Sequence, residues 1–349
     1  MYVPVMKNRT VEVSVLQKLS ELGVFGDNVI PLIELIQERT RSNVKSTFLE
    51  DLVEILKANS NMVVMLDFLK TTKLRSTSES IREYITRIIR YPDFIEHELS
   101  KVYSVSDQVI PVISYMQEDF SLEHLREEIS FCQRYFPRIA YRFKPSEFYL
   151  VFGGLFDLIR GSDIVILDVG SAAYTSPVFK SIYKLISDKK REVGYTSIVI
   201  NAHRPEDLTN ISMLDREPIG EIDNSLKDLY NLPFMCRFDG FGDYATISAA
   251  LPTTGGAISP VGIYYSKENN YFVSYKGRKK LLSEFPDYIA PSIVSSEYWT
   301  EFDVDHHCRC PGCLEIEQIV TREKSGKNQA QWKMITMLHY IYTMYEIDA

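Results

Sequence analysis

The chain has 349 residues, of which 45% are apolar and 25% charged, so its composition is that of an ordinary globular protein and excludes wholesale disorder. This length accommodates one large domain or two of ordinary size. The 39 Lys and Arg residues against 47 Asp and Glu leave a net charge of −8. That balance argues against a general nucleic-acid coat, although it leaves a local basic site open.

Targeting features are missing from the sequence. It contains no apolar window of about 18 residues, the length that crosses a bilayer. The first ten residues lack the apolar core of a signal peptide. The five cysteines are an odd number in a long chain and do not indicate a disulfide framework. We therefore expect a cytoplasmic protein without a membrane partner.

Short apolar runs that end near a polar residue recur along the chain, and amphipathic stretches separate them. Continuous β-branched runs of this length are typical of strands buried on both faces, as in a parallel sheet. The predicted strands are residues 29–34, 62–67, 109–114, 138–142, 164–168, 197–201, 234–239 and 257–263.

Helical patterns fill the gaps between these runs. Residues 46–57 open with a Ser/Thr cap and carry carboxylates early, and residues 81–89 place their apolar side chains on one stripe. Residues 121–132 begin at a serine, and residues 179–186 follow a proline just inside a helix start. Strand–helix alternation implies parallel strands. The predicted fold is α/β, a (β/α)8 TIM-like barrel over residues 1–280, and a doubly wound open sheet is the competing architecture.

Two segments depart from the alternation. Residues 262–277 have aromatic strands around Glu-Asn-Asn and predict a β-hairpin, which replaces or decorates the eighth strand. Residues 281–349 predict an accessory region with a Cys/His cluster, a zinc knuckle, and a last helix from 329 to 346.

Polar residues follow most of the predicted strands. In a barrel the carboxyl ends of the strands converge on one mouth, where barrels of this kind hold their sites. Acidic strand ends facing several cations suit an anionic ligand, and they equally suit a divalent metal ion with a phosphate. The alternative is that these ends are polar because solvent reaches them. The candidate catalytic residues are Glu34, Asp67, Arg142, Lys144, Asp168, His203, Asp239 and Asp243.

Two of these candidates have specific alternatives. His203 suits a general acid or base near neutral pH, with Arg204 clamping an anion, but a loop histidine bonded to a carbonyl is the commoner case. Asp239 and Asp243 flank two glycines and suit a shared cation. The alternative is a tight turn in which Asp243 caps a helix.

The strongest local signal is the segment 305–313, Asp-His-His-Cys-Arg-Cys-Pro-Gly-Cys. Its end resembles the Cys-Pro-x-Cys knuckle of zinc ribbons. In an extended chain, even spacing puts His306, Cys308 and Cys310 on one side, and the Pro-Gly turn brings Cys313 round to them. Four nitrogen and sulfur ligands predict a tetrahedral, structural Zn²⁺ site.

Other interpretations of this cluster remain open. Local bending would exchange His306 for His307, and the distant His339 is a further candidate for the fourth ligand. A Cys-x-x-Cys pair at a helix start is also typical of redox sites. Free structural cysteines are the remaining alternative.

The chain also resembles a known family. Residues 2–7, Tyr-Val-Pro-Val-Met-Lys, followed by residues 30–34, Ile-Pro-Leu-Ile-Glu, resemble the start of the phage-type "beta protein" family, which occurs in phages and in bacterial genomes. The resemblance spans most of the chain and implies a shared architecture and a phage–host conflict setting, without a catalytic assignment. Later matching positions are Asp67, residues 110–112, Arg142, Asp168, residues 242–244, Trp332 and His339.

Two function classes follow. The first is a component of an antiviral defence or counter-defence assembly that recognises a protein partner or an anionic ligand at the barrel mouth. The second is a metal-assisted hydrolase or lyase, similar to a phosphodiesterase or nuclease, acting on a phosphate-bearing substrate. A divalent metal ion on the strand-end carboxylates favours the enzyme, and a large apolar surface over the mouth favours the binding role.

Overall fold

Eight parallel strands close into a barrel in the computed structural model of this chain, which describes residues 1–40, 45–75, 77–116, 121–174, 176–202, 204–205, 208–219, 238–252 and 259–348. Strand β9 (Gly240–Asp243) pairs in parallel with β1 (Tyr2–Lys7), with Pro4 opposite Asp243, and this pairing closes the ring. The predicted parallel barrel is confirmed, and the open sheet is excluded. The barrel strands are β1 (Tyr2–Lys7), β2 (Leu32–Leu35), β3 (Val64–Phe68), β4 (Val109–Ile113), β5 (Ala140–Phe143), β6 (Ile164–Asp168), β7 (Thr196–Asn201) and β9 (Gly240–Asp243), while β8 (Glu217–Pro218) lies outside the barrel.

Two barrel positions differ from the sequence prediction. Strand β1 was not among the predicted runs, because Pro4 interrupts its apolar run and proline is rare inside strands. The predicted run 257–263 is not a barrel strand, because Val261 begins the antiparallel hairpin of β10 (Val261–Ser266) and β11 (Tyr271–Lys276). The hairpin itself is confirmed, and β8 adds a third strand to it. The last barrel strand starts at Gly240, one residue after the predicted run 234–239, of which 234–237 lie outside the described residues.

Helices cover the barrel wall between successive strands. Predicted caps are present: Thr47 and Glu50 form a capping box before α2, and the Ser121 side chain accepts from the backbone N–H of His124 before α5. The helices are α1 (Thr10–Glu21), α2 (Phe48–Ala58), α3 (Glu79–Arg90), α4 (Pro92–Ser100), α5 (Leu122–Tyr135), α6 (Phe148–Leu155) and α7 (Lys180–Val193), with short 3-10 turns at Tyr103–Gln108, Phe156–Leu158 and Pro177–Phe179.

A helical layer follows the hairpin. Its terminal helix, Gln329–Asp348, packs against α1, β1 and β10, so it joins the hairpin to the barrel wall. Trp332 of this helix is buried and stacks on Phe285 at 5.4 Å between ring centroids. Within the described ranges, no helix has the length and apolar character needed to cross a bilayer. The preceding elements are a π-helical turn at Phe285–Ile289 and helices Ala290–Val294, Glu297–Thr300, Val304–Arg309 and Pro311–Val320.

A glycine allows β9 to approach β1 closely enough to close the barrel. A Cβ atom on Gly242 would lie 2.6 Å from the carbonyl oxygen of Val3 and 2.9 Å from Ile200 Cγ1. Both distances are shorter than van der Waals contact, so a side chain at this position would force the strands apart.

Candidate functional site

The floor of the barrel mouth is organised by Arg142 of β5. Its guanidinium Nη1 donates to Glu34 Oε1 at 3.0 Å and to Asp67 Oδ2 at 2.7 Å. Its Nε and Nη2 both donate to Asp168 Oδ2, at 3.0 and 2.7 Å. These four residues come from four different strands, and they meet because each occupies an inward-facing position at a strand's carboxyl end. The predicted convergence of these four candidates is therefore confirmed.

Other oxygen atoms of the floor are also engaged, although Glu34 Oε2 has no hydrogen-bond partner among the described residues. The Ser114 hydroxyl donates to Asp67 Oδ1 at 2.6 Å, and the Gly170 backbone N–H donates to Asp168 Oδ1 at 3.0 Å. Tyr244 accepts from Arg142 Nη2 at 2.8 Å and donates its own hydroxyl hydrogen to Glu34 Oε1 at 2.7 Å. The three carboxylates are thus held by local donors.

This arrangement determines the protonation states of Glu34 and Tyr244. Burial by itself would raise the pKa of Glu34, but the nearby Lys7 and Arg142 hold that pKa below its ordinary value. The Lys7 Nζ atom lies 3.5 Å from Glu34 Oε2. Burial raises the pKa of Tyr244 well above its ordinary value. At neutral pH Glu34 is therefore ionised while Tyr244 stays a neutral donor, and neither group titrates near pH 7.

A ring of cations surrounds the opening above this floor. The cavity has a volume of about 440 Å³. Among the described residues, the Lys144 ammonium has no carboxylate or carbonyl partner, whereas Lys70 donates to Glu128 at 2.7 Å. Because the floor carboxylates are already bonded to Arg142, the charge that is not compensated at the opening is positive. The cationic lining residues of the opening are Lys70, Lys73, Arg75, Lys144 and Arg204.

Two predicted site residues do not reach the mouth. Asp239 precedes β9 at the opposite end of the barrel, where it accepts from the Ser197 backbone N–H at 2.8 Å and from Lys190 at 2.6 Å. Asp243 is at the correct end but faces outward, because strand side chains alternate and its neighbour Tyr244 faces inward. The predicted cation shared by Asp239 and Asp243 is therefore wrong.

Asp243 instead attaches the terminal helix to the barrel. Its two carboxylate oxygens accept from the Tyr2 hydroxyl at 2.8 Å and from the Tyr340 hydroxyl at 2.6 Å. It also accepts from the Ala245 backbone N–H at 2.8 Å, in a turn rather than a helix cap. His203, the remaining candidate, lies outside the described residues.

Sequence reasoning missed three residues of the mouth. Tyr244 stands two positions beyond Gly242, and strand alternation alone would have indicated that it faces inward. Lys7 ends β1, the strand that was not predicted. Ser114 follows β4 directly, at the carboxyl end where mouth residues are expected.

A second cluster lies where the terminal helix crosses helix Pro311–Val320. His306, Cys310, Cys313 and His339 are all buried, and each contributes one ligand atom to a group whose members lie within 4.8 Å of one another. His339 Nδ1 is 3.6 Å from Cys310 Sγ and 3.5 Å from Cys313 Sγ. This set can hold a metal ion.

Cys308 is not part of this cluster, so its prediction as a metal ligand is wrong. It is exposed, because residues 304–309 are helical rather than extended. Residues two apart on a helix point in different directions, while His306 and Cys310, four apart, share a face. His339 supplies the fourth ligand position. The alternative ligand His307 instead stacks on the Trp299 ring at 4.1 Å.

Both histidines of the cluster are oriented by a second partner. His306 Nδ1 bonds to the Glu346 carboxylate, and its buried Nε2 has no hydrogen-bond partner among the described residues. His339 directs Nδ1 at the two sulfur atoms, and its Nε2 lies 3.5 Å from the Tyr265 carbonyl oxygen. A carboxylate or carbonyl behind the ring is the usual arrangement of a metal-ligating histidine.

Gly312 permits the close helix crossing that assembles this cluster. A Cβ atom there would lie 2.6 Å from the His339 backbone nitrogen. Burial alone would raise the pKa of the Cys310 thiol, but the neighbouring Cys313, His306 and His339 side chains hold it well below its ordinary value. A thiolate is the form in which cysteine binds a metal.

The fold and the mouth together define a parallel (β/α)8-type barrel protein with a C-terminal helical layer. The chain belongs to the Beta protein family, whose sequence profile matches residues 2–346. Among curated proteins, none matches the sequence.

Two solved structures are similar in part. A family 18 chitinase from Crocus vernus aligns with 12% identity over 69% of this chain and 91% of the chitinase chain, with a TM-score of 0.37. A structure of fungal beta-1,4-galactanases aligns with 9% identity over 70% of this chain and 89% of that chain, with a TM-score of 0.41. Because both scores are low, the barrel assignment rests on the strand pairing itself.

Proposed function

We propose that the barrel mouth recognises an anionic ligand, and that a small phosphate-bearing molecule is the class that fits it best. The observation that carries this proposal is the ring of five cationic side chains above a floor whose carboxylates are already bonded to Arg142. A concave cavity of about 440 Å³ is the size of a small-molecule site.

The geometry of the floor explains why an anion is not repelled. Arg142 forms ion pairs with all three floor carboxylates. Lys7 lies beside the second carboxylate oxygen of Glu34, Oε2. Lys144 has no competing partner among the described residues, so binding an anion does not cost it an existing ion pair. Charge-assisted hydrogen bonds to phosphate are among the stronger polar contacts in proteins.

Isothermal titration calorimetry with pyrophosphate tests the proposal. Lys144→Gln is expected to weaken binding about tenfold, the loss of one charge-assisted hydrogen bond. Lys57→Gln is the matched control, because Lys57 is exposed on α2 and bonds only to Glu54. Equal affinity in wild type and Lys144→Gln would contradict the proposal.

The alternative function, metal-assisted hydrolysis of a phosphate-bearing substrate, has weaker support. Glu34, Asp67 and Asp168 are the residues that would bind the divalent ion, but the Arg142 guanidinium lies between them. A cation there would compete with a fixed positive charge. Hydrolysis of bis-p-nitrophenyl phosphate in the presence of Mn²⁺, lost in Asp67→Asn, would restore the enzyme interpretation.

We further propose that the second cluster binds one structural Zn²⁺ ion through His306, Cys310, Cys313 and His339. Zinc–sulfur and zinc–nitrogen bonds of about 2.3 and 2.0 Å at tetrahedral angles separate unlike ligand atoms by about 3.5 Å. The sulfur–nitrogen distances of 3.5 and 3.6 Å at His339 match that separation. A closed set of four ligands leaves no open position, which is typical of a structural site.

Elemental analysis of protein purified without added metal tests the zinc proposal. We expect about one zinc per chain in the wild type and in Cys308→Ser, and a large loss in Cys313→Ser. The Cys308 variant is the matched control, since it removes an exposed thiol of the same segment. Equal zinc in both variants would contradict the ligand set.

The setting of a phage–host conflict, with a protein partner, is what the sequence resemblance implies, and it stays a proposal. A cytoplasmic location is supported by the reduced cysteines, because thiolate zinc sites and free thiols are typical of a reducing compartment.

A further inference from the structure

We propose that the seam between the barrel and the terminal helix is a second, separate anion site, and that it takes a phosphate group carrying a hydroxyl hydrogen. The seam cavity is defined by Arg9, Glu12, Lys333 and the residues around them, and its volume is about 560 Å³. Arg204 lines both cavities, and the seam cavity is distinguished from the mouth by Arg9, Glu12 and Lys333, which line only the seam.

Positive charge accumulates at this seam although the chain as a whole is acidic. Lys7, Arg9, Arg204 and Lys333 line the cavity, and Glu12 is the one carboxylate among its described lining residues. Burial lowers the pKa of Lys333, and the nearby Arg9 and Lys7 lower it further, against the attraction of Glu12. The cavity therefore has a cationic surplus that an anion would balance.

Among the described residues, two of these cations lack a carboxylate partner. The Arg9 side chain makes no hydrogen bond or ion pair with any residue that the structure describes. Arg204 donates only to the backbone carbonyls of Thr246, at 3.1 Å, and Leu208, at 3.0 Å. Its buried Nε atom has no partner in the described part of the chain. Both guanidinium groups are half-buried, and a guanidinium shielded from water normally pairs with an anion, so an anionic ligand would complete this arrangement.

Glu12 determines which anion the seam prefers. Its Oε1 accepts from Lys333 Nζ at 2.8 Å, and its buried Oε2 has no partner among the described residues. An ionised carboxylate oxygen accepts hydrogen bonds and donates none. Hydrogen phosphate has an O–H group that can donate to this oxygen, whereas sulfate at neutral pH has none. We therefore infer a preference for hydrogen phosphate over sulfate.

Equilibrium dialysis with radiolabelled inorganic phosphate, with sulfate as competitor, tests the seam site. Arg9→Gln is expected to weaken one class of phosphate site about tenfold, while Lys144→Gln affects only the mouth. Arg90→Gln, an exposed arginine at the end of α3, is the matched control. Arg9 has no side-chain partner among the described residues, so its variant is expected to fold. A thermal unfolding curve of Arg9→Gln checks that the variant is folded. Lys333→Gln is a second variant of the same site.

The outcomes separate the two sites. Two phosphate classes, one weakened by Arg9→Gln and resistant to sulfate, support the seam site. A single class that Lys144→Gln weakens and Arg9→Gln leaves unchanged overturns the seam site while keeping the mouth. Phosphate binding that no variant alters, or equal competition by sulfate and phosphate at the Arg9-sensitive class, also overturns the proposal as stated.

Discussion

Removing Arg142 is expected to destabilise the whole barrel as well as the mouth. The guanidinium is 6% exposed and bonds to three carboxylates and Tyr244. Arg142→Met keeps much of the side-chain volume but leaves those carboxylates without their common cation. Breaking a buried ion pair from one side costs about 3–5 kcal/mol, a large part of the roughly 5–15 kcal/mol by which a domain is stable.

The pH dependence of the unfolding free energy that Arg142→Met loses gives a sharper test. In the wild type the pKa of Glu34 is lowered, so its contribution to stability is present above the unfolded value of about 4.3 and is lost as pH falls through the folded value. Without Arg142, Glu34 keeps only Lys7 against the effect of burial, so the pKa of Glu34 rises relative to the wild type and acid neutralises it at less cost. The difference in unfolding free energy between the two proteins should therefore shrink from pH 7 to pH 5.

Urea denaturation followed by circular dichroism measures both effects. Arg191→Met is the control, because Arg191 pairs with Asp188 on an exposed part of α7 and exposed pairs contribute about 1 kcal/mol or less. An Arg142→Met deficit as small as that of the control at pH 7, or one that grows on acidification, would refute the reasoning.

Three further results are expected. Chelation of the proposed metal ion should increase proteolysis near Cys313 while the circular dichroism signal persists, because the barrel strands are complete before residue 244. Loss of the circular dichroism signal together with the protease resistance near Cys313 would contradict this. Tyr340→Phe should lower the unfolding free energy by about 1–3 kcal/mol, since it removes a 2.6 Å hydrogen bond to the buried Asp243, and an unchanged urea midpoint would disprove that role. Lys144→Gln should leave the thermal midpoint within about 2 °C of wild type, because Lys144 contributes no ion pair among the described residues, and a larger fall would show that the residue is structural.

Local sequence was sufficient for most of the elements and their order, although not for β1 or the exact position of β9. The Thr47 capping box, the hairpin at 261–276 and the long terminal helix depend on nearest neighbours, turn residues and periodicity, which a sequence contains directly. The strand–helix alternation also implied a parallel barrel, and a barrel forces Glu34, Asp67, Arg142 and Asp168 to one mouth.

Tertiary structure decided the direction and partner of individual side chains. Asp243 faces the terminal helix because strand side chains alternate and its neighbour Tyr244 faces into the barrel, while Tyr2 and Tyr340 donate to its carboxylate from outside. Cys308 points to solvent because its segment is helical, and the fourth ligand position is filled by His339, 26 residues beyond Cys313. Such contacts depend on how distant helices pack, so neither the spacing in the Cys-Pro-Gly-Cys segment nor its residue types could determine them.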